Sequence, residues 1–165
     1  MSSVHYAVVD SPLDRLGVAW SDAGLRRIWF YRADPAFPVP AEWRLLAEPA
    51  FGAGEQLAAW FSGKRVEFDL PLDARGTPFQ QRVWQALTEI PYGATSTYGE
   101  IARRLGRPKS ARAVGGANHR NPLPVVIPCH RVIGAGGSLT GYAGGLRIKR
   151  FLLDLEAGSS SRAAA

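Results

Sequence analysis

The chain carries one cysteine, Cys129, with Pro128 before it and His130 and Arg131 after it. Two basic residues beside a thiol favour the thiolate, which is the nucleophilic form. A thiolate is a soft nucleophile suited to carbon centres and disulfides. The competing reading is a small buried hydrophobe, the common fate of a lone cysteine. Adjacent residues on an extended chain face opposite ways, so a Cys129–His130 hydrogen bond requires a turn or a bridging water. An imidazole base also needs a third group to fix its tautomer. The second half offers four carboxylates for this: Glu89, Glu100, Asp154 and Glu156. Glu89 ends a predicted helix and Glu100 is engaged in a predicted cap. Glu156 is expected at a helix C-terminus, where the dipole disfavours an anion. That helix opens with Arg147, Lys149 and Arg150, which is also the unfavourable order. Either something other than helix stability placed Glu156, or it is a solvated acid at a frayed end.

Much other chemistry is excluded. One cysteine rules out an intrachain disulfide framework and a zinc site built on several thiolates. His5, His119 and His130 have no metal-ligand spacing, and the chain lacks both a phosphate loop ending in Lys-Ser/Thr and a Gly-x-Ser-x-Gly elbow. No metal and no cofactor are expected. No apolar run approaches the ~20 residues of a membrane span. Met1–Asp10 does not read as a signal peptide, so a cytoplasmic protein is expected.

The 165 residues carry a formal net charge of +6, unevenly distributed. Residues 1–75 hold 8 basic and 10 acidic side chains, a net of −2, and residues 76–165 hold 12 basic and 4 acidic, a net of +8. A one-sided excess is the footprint of a polyanion partner, although a solvated basic surface gives the same sum.

The elements that must position Cys129 are legible in outline. His5–Asp10, Leu16–Ser21 and Leu25–Tyr31 read as strands of an antiparallel meander, followed by a Pro-rich stretch from Asp34 to Pro40. Gly54–Phe61 reads as a helix and Val66–Leu72 as a further strand. Trp20, Trp29, Trp43 and Trp60 fit core packing better than base stacking. After Asp73-Ala74-Arg75-Gly76 the period becomes helical. Thr77-Pro78-Phe79-Gln80 and Thr97-Tyr98-Gly99-Glu100 are capping boxes. The first opens an apolar stripe of Phe79, Val83, Leu87 and Ile90. The second opens a helix that stops at Gly106 with Pro108 beyond. Ser110 is placed to cap a third helix from Ala111 to about Asn118, making a helix-turn-helix pair. That third helix carries Ala111, Ala113, Gly115, Gly116 and Ala117, and the two glycines cost it about 1 kcal/mol each. Such a surface serves close approach, either of a narrow minor groove or of the protein's own core. Val125-Val126-Ile127 reads as a buried strand, Gly134–Gly145 as a Gly-rich loop, and Leu146–Glu156 as a last helix. The expected division is 1–75 as a scaffold, 76–157 as the chemical domain, and 158–165 as a disordered tail.

Asn121-Pro122 followed by Ile127-Pro128-Cys129-His130-Arg131-Val132-Ile133 resembles the active-site signature of the O6-alkylguanine-DNA alkyltransferases, the methylated-DNA–protein-cysteine methyltransferase family. The resemblance extends through Tyr98-Gly99-Glu100-Ile101-Ala102, Arg112–Ala117, Gly141–Leu146 and Leu152–Glu156. It implies an α+β protein with an N-terminal ribonuclease-H-like sheet and helix and a C-terminal winged helix-turn-helix domain. It also implies repair by direct damage reversal. Cys129 would take the alkyl group irreversibly and act once. His130 would accept the thiol proton through a water, with Glu156 orienting the imidazole. Asn121 would hold the turn, and Tyr98 would donate to the flipped base. Arg112 would fill the gap in the duplex. Ser110, Ala111, Gly115, Gly116, Ala117 and Arg131 would meet DNA. Pro124, Val132, Tyr142, Ala143 and Gly144 would wall the pocket with Tyr98. The implied partner is double-stranded DNA containing O6-alkylguanine, bound by a monomer through the minor groove, with no membrane. Ala143 stands where some members have a serine, and one cysteine cannot build the multi-cysteine zinc site of others. Three rivals compete. A lesion-binding relative that transfers nothing commonly has tryptophan in place of the cysteine. A winged-helix regulator leaves the Pro-Cys-His-Arg turn unexplained. A cysteine hydrolase would turn over repeatedly.

Overall fold

The computed structural model describes residues 3–33, 36–142 and 145–164. The chain divides into two compact units, Met1–Arg75 and Gly76–Ala165.

In the first unit, β1 (His5–Val9), β2 (Leu16–Ser21) and β3 (Gly24–Phe30) form an antiparallel meander, as their composition and turn residues predict. Every residue of the central strand β2 is buried. The two-residue β4 (Arg44–Leu45) adds to the free edge of β1 in parallel, giving the order β3-β2-β1-β4. It is too short to show a period in sequence. The helix α1 (Ala53–Phe61) buries Ala53, Leu57, Trp60 and Phe61. Val66–Leu72 is not the strand that its composition predicts. Only a single bridge forms, between Leu25 and Leu72. Pro71 has no N–H to extend a ladder, so the backbone bonds are confined to Leu25 N–H to Pro71 O and Asp73 N–H to Leu25 O. A side chain at Gly24 would place its Cβ 2.5 Å from Pro71 O, which requires glycine there. Trp20, Trp29 and Trp60 are buried, and Trp43 packs against Trp29 and Phe37. Their role is therefore apolar packing.

In the second unit, α2 (Pro78–Thr88) and α3 (Tyr98–Arg104) begin with complete capping boxes at Thr77/Gln80 and Thr97/Glu100. The α2 stripe buries Val83 and Leu87, and its Trp84 donates from Nε1 to Ala117 O at 2.9 Å. Gly106, in the left-handed region at φ 73°, ends α3. The helix α4 (Ala111–His119) follows, so the helix-turn-helix is present. Ser110 occupies its N-cap position but forms no side-chain cap bond. Its φ/ψ of −102°/22° is not the extended geometry that turns an Oγ toward the first-turn amides.

The short strands β5 (Ser96–Thr97) and β6 (Val132–Ile133) pair in parallel. The predicted strand at Val125–Ile127 is instead a turn, in which Val125 has φ 76°. The final helix α5 spans Leu146–Ala164, well past the expected end at Glu156. The tail expected to be unstructured from 158 continues as helix to Ala164, and Ala165 lies outside the described residues. No proline interrupts that tail, and its alanines are strong helix formers. No helix among the described residues is long and apolar enough to cross a membrane.

Candidate active site around Cys129

Asn121 builds the approach to the cysteine. Its side chain donates to Ile127 O at 2.8 Å and accepts from Leu123 N–H at 2.9 Å. Ile127 N–H closes back on Leu123 O at 2.8 Å. Pro124 and Val125 sit at the tip of this loop, and Val125 is a β-branched residue held in the left-handed region while 1% exposed. That conformation is strained by about 1–3 kcal/mol and persists only where surrounding contacts enforce it. After Pro128 the chain enters a 3-10 turn over Cys129–Arg131. This supplies the turn that an adjacent Cys-His pair requires. β6 then pairs with β5, which leads directly into Tyr98, so Val132 and Tyr98 are brought to one place.

Glu156 is 1% exposed and receives a converging set of donors. His130 Nε2 lies 2.5 Å from Oε2. Arg131 Nε donates to Oε1 at 2.9 Å and to Oε2 at 3.0 Å, and Nη2 donates to Oε2 at 2.9 Å. Gly93 N–H donates to Oε1 at 3.0 Å. Burial alone would raise the carboxyl's pKa. The bonds and charges of His130 and Arg131 outweigh it and hold Glu156 below the usual carboxylate range. An ionised carboxylate only accepts, so His130 carries its proton on Nε2 and its lone pair on Nδ1. Complete burial pushes His130 below the ordinary histidine value despite Glu156, so the ring is neutral at pH 7. The dipole objection to Glu156 disappears as well, because α5 continues and leaves Glu156 inside the helix.

The thiol differs from its predicted state. Cys129 is 4% exposed, and burial pushes its pKa up to about 11. Hydrogen bonds from Asn121 and Tyr142 and the charge of Lys149 offset only part of this. The neighbouring cations do not act as their sequence position suggests. Arg131 is spent on Glu156 and Ile90 O, and His130 is neutral. The resting group is a thiol, and ionising it calls for a base.

Arg131, expected at a DNA surface, is 7% exposed and fully engaged inside, with its guanidinium also over the Tyr92 ring. The other expected contacts lie on or beside α4. Arg112, Ala113 and Gly116 are exposed, Ser110, Ala111 and Gly115 are half-buried, and Ala117 faces the core. A Cβ at Gly116 would meet nothing within 4 Å, and one at Gly115 would make only ordinary contact with the Tyr98 ring at 3.8 Å. Close packing within the protein therefore does not require these glycines. Pro124, Val132 and Tyr142 are buried, and Tyr98 is half-buried. Ala143 and Gly144 lie outside the described residues.

Two residues escaped the sequence reading. Lys149 is 0% exposed, and its Nζ donates to Val132 O at 2.6 Å and Thr140 O at 2.9 Å. Burial lowers its pKa, an effect that the negative charge of an ionised Cys129 opposes. Thr140 donates from Oγ1 to Tyr98 Oη at 2.9 Å. The available signal was a lysine inside the apolar stripe of α5, since Ile148, Lys149, Leu152 and Glu156 share its buried face.

A buried cysteine followed by a carboxylate-anchored histidine, on a helix-turn-helix unit, defines a thiol-based centre beside a nucleic-acid-binding motif. Residues 78–158 match the family model for the 6-O-methylguanine DNA methyltransferase DNA binding domain, and residues 4–74 match that for its ribonuclease-like domain. The chain belongs to the 6-O-methylguanine DNA methyltransferase family. It is 50% identical over 153 residues to the methylated-DNA–protein-cysteine methyltransferase of Methanosarcina acetivorans, covering 93% of this chain and 98% of that one. It resembles the crystal structure of the Mycobacterium tuberculosis O6-methylguanine methyltransferase with a TM-score of 0.88 and 48% identity, covering 94% of each chain. A structure of the Mycobacterium tuberculosis protein in complex with DNA matches with the same TM-score of 0.88 and identity of 48%, again over 94% of each chain.

Proposed function

We propose that this chain repairs DNA by moving the alkyl group of O6-alkylguanine onto Cys129, once per molecule. Its family membership supports DNA repair by alkyl transfer to a cysteine. The observation that carries the assignment to Cys129 is the chain of contacts behind it. The residue after the only cysteine is a neutral histidine whose Nε2 proton is held by an ionised carboxylate.

In this reading Nδ1 of His130 takes the thiol proton through a water as the sulfur attacks. The S–C bond forms as the C–O6 bond breaks, and the bonding pair passes to the guanine. Tyr98 donates a hydrogen bond to the departing base, and the proton from sulfur restores neutral guanine, so no co-reactant is needed. A thioether is a poor leaving group, and no second cysteine can remove the alkyl group. Asn121 positions the turn. Pro124, Val132, Tyr142, Ala143 and Gly144 wall the pocket with Tyr98. The target atom lies inside a duplex, so the base is flipped out. Arg112 occupies the vacated space.

The exposed small face of α4 supports approach to a minor groove. Ser110, Ala111, Gly115, Gly116 and Ala117 form or support that contact, and Arg131 does not take part. The protein acts as a monomer in the cytoplasm, with residues 1–75 as scaffold. The test is mass spectrometry after incubation with duplex DNA containing O6-methylguanine. Cys129 should gain one methyl in place of hydrogen, with at most one transfer per protein. Cys129→Ser should bind the lesion without transfer. An unmodified Cys129, repeated turnover, or transfer by the serine variant would refute the reading.

A further inference from the structure

We infer that Thr140 is a positioning residue for alkyl transfer, acting through Tyr98; this rests on the function proposed above. Two contacts fix Thr140, and a glycine makes room for it. Its carbonyl accepts from the buried ammonium of Lys149 at 2.9 Å. Gly134 leaves the space beside its methyl open, since a Cβ there would come within 3.2 Å of Cγ2. Its hydroxyl donates to Tyr98 Oη at 2.9 Å. Anchoring the Thr140 backbone on Lys149 places the hydroxyl beside the phenol.

The consequence concerns a proton. A phenol oxygen has one proton to give and lone pairs to receive with. In the inferred arrangement Thr140 donates along this 2.9 Å contact, and the proton of Tyr98 then points away from Thr140. Tyr98 opens α3 directly after β5, so its backbone is held by a capping box and a strand pair. The backbone fixes the ring and Thr140 fixes the rotation of the hydroxyl. The same residue is tied through Lys149 to Val132, the first residue after the Cys129 turn. Thr140 thus spans the sulfur side and the base side of the pocket, and it makes Tyr98 a ready donor before the base arrives.

The test is the single-turnover transfer rate on an O6-methylguanine duplex, with duplex affinity and thermal midpoint measured in parallel. Thr140→Val keeps the shape and removes the donor. It should slow transfer by about five- to tenfold, the size of one hydrogen bond's net contribution, without changing affinity or midpoint. Thr140→Ser should retain a rate within about twofold of the parent, because one hydroxyl replaces another. In a Tyr98→Phe background, Thr140→Val should produce no further loss. A purely structural role would slow both backgrounds equally, and that result overturns the inference, as does an unslowed Thr140→Val protein. If Thr140→Val fails to fold, the Tyr98→Phe and Thr140→Ser rates decide. Slow transfer by Thr140→Ser with normal affinity and midpoint overturns the inference. Absence of methyl on Cys129 in the unsubstituted protein overturns the functional reading itself and this inference with it.

Discussion

Glu156→Gln isolates the charge at the centre of the site from its shape. The substitution is nearly isosteric, but the carboxylate is 1% exposed and holds Arg131 through Nε and Nη2, His130 through Nε2, and Gly93 through its amide. Arg131 is itself 7% exposed, and its remaining partner in the network is a neutral carbonyl at Ile90. Removing one member of a buried ion pair costs about 3–5 kcal/mol, since the other charge is left uncompensated. The NH2 group of glutamine confronts donors, but its oxygen still accepts, so the low end near 3 kcal/mol applies. For a unit of this size each kcal/mol lowers the melting temperature by about 4–8 °C, so a fall of about 12 °C or more is expected. Differential scanning calorimetry with guanidinium titration measures it. Adding Arg131→Met to Glu156→Gln should recover a large part of the loss, because the stranded charge is gone. A loss below about 1 kcal/mol for Glu156→Gln, or further destabilisation on adding Arg131→Met, would show that the network is not electrostatically stringent.

Gly116→Leu should leave the fold intact, because a Cβ there meets nothing within 4 Å. It should weaken duplex binding at least tenfold, and a fluorescence anisotropy titration showing unchanged affinity would remove α4 from the interface. Thr97→Ala should destabilise by about 1 kcal/mol in thermal melts through loss of the bond to the Glu100 amide. Stability should also fall on acidification in two stages. Folding lowers the His130 pKa, so only the unfolded chain binds a proton as pH drops below 6.5, and stability is lost from there. Glu156 is likewise held low, so its contribution is present above 4.5 and lost below it. Urea midpoints across pH 2–8 would show this, and a His130→Gln protein should lack the upper stage.

The elements with strong local rules were legible. The two capping boxes, the meander and the α2 stripe rest on spacing and turn residues, and the structure places them as expected. What failed was set by tertiary contact. Val125-Val126-Ile127 has strand composition, yet Asn121 bonds its backbone into a turn with Val125 at positive φ. Pro71 leaves Val66–Leu72 with one bridge. In the site, Cys129 and His130 stood out by adjacency and Glu156 by its odd position. The protonation of the thiol was not visible, because adjacency in sequence does not reveal that Arg131 faces Glu156. Lys149 and Thr140 depend on contacts across 17 and 9 residues that no local pattern encodes.

The arrangement of α5 also gives the site a chronology. Lys149 and Glu156, two turns apart on its buried face, come after Tyr98, Cys129 and Thr140 in the chain. During synthesis Cys129 and the helix-turn-helix therefore leave the ribosome before Glu156. A nascent chain in which α2 to α4 have already packed carries a histidine with no anchor and a buried arginine with no counter-charge. The docking of one late helix then supplies the carboxylate that both lack.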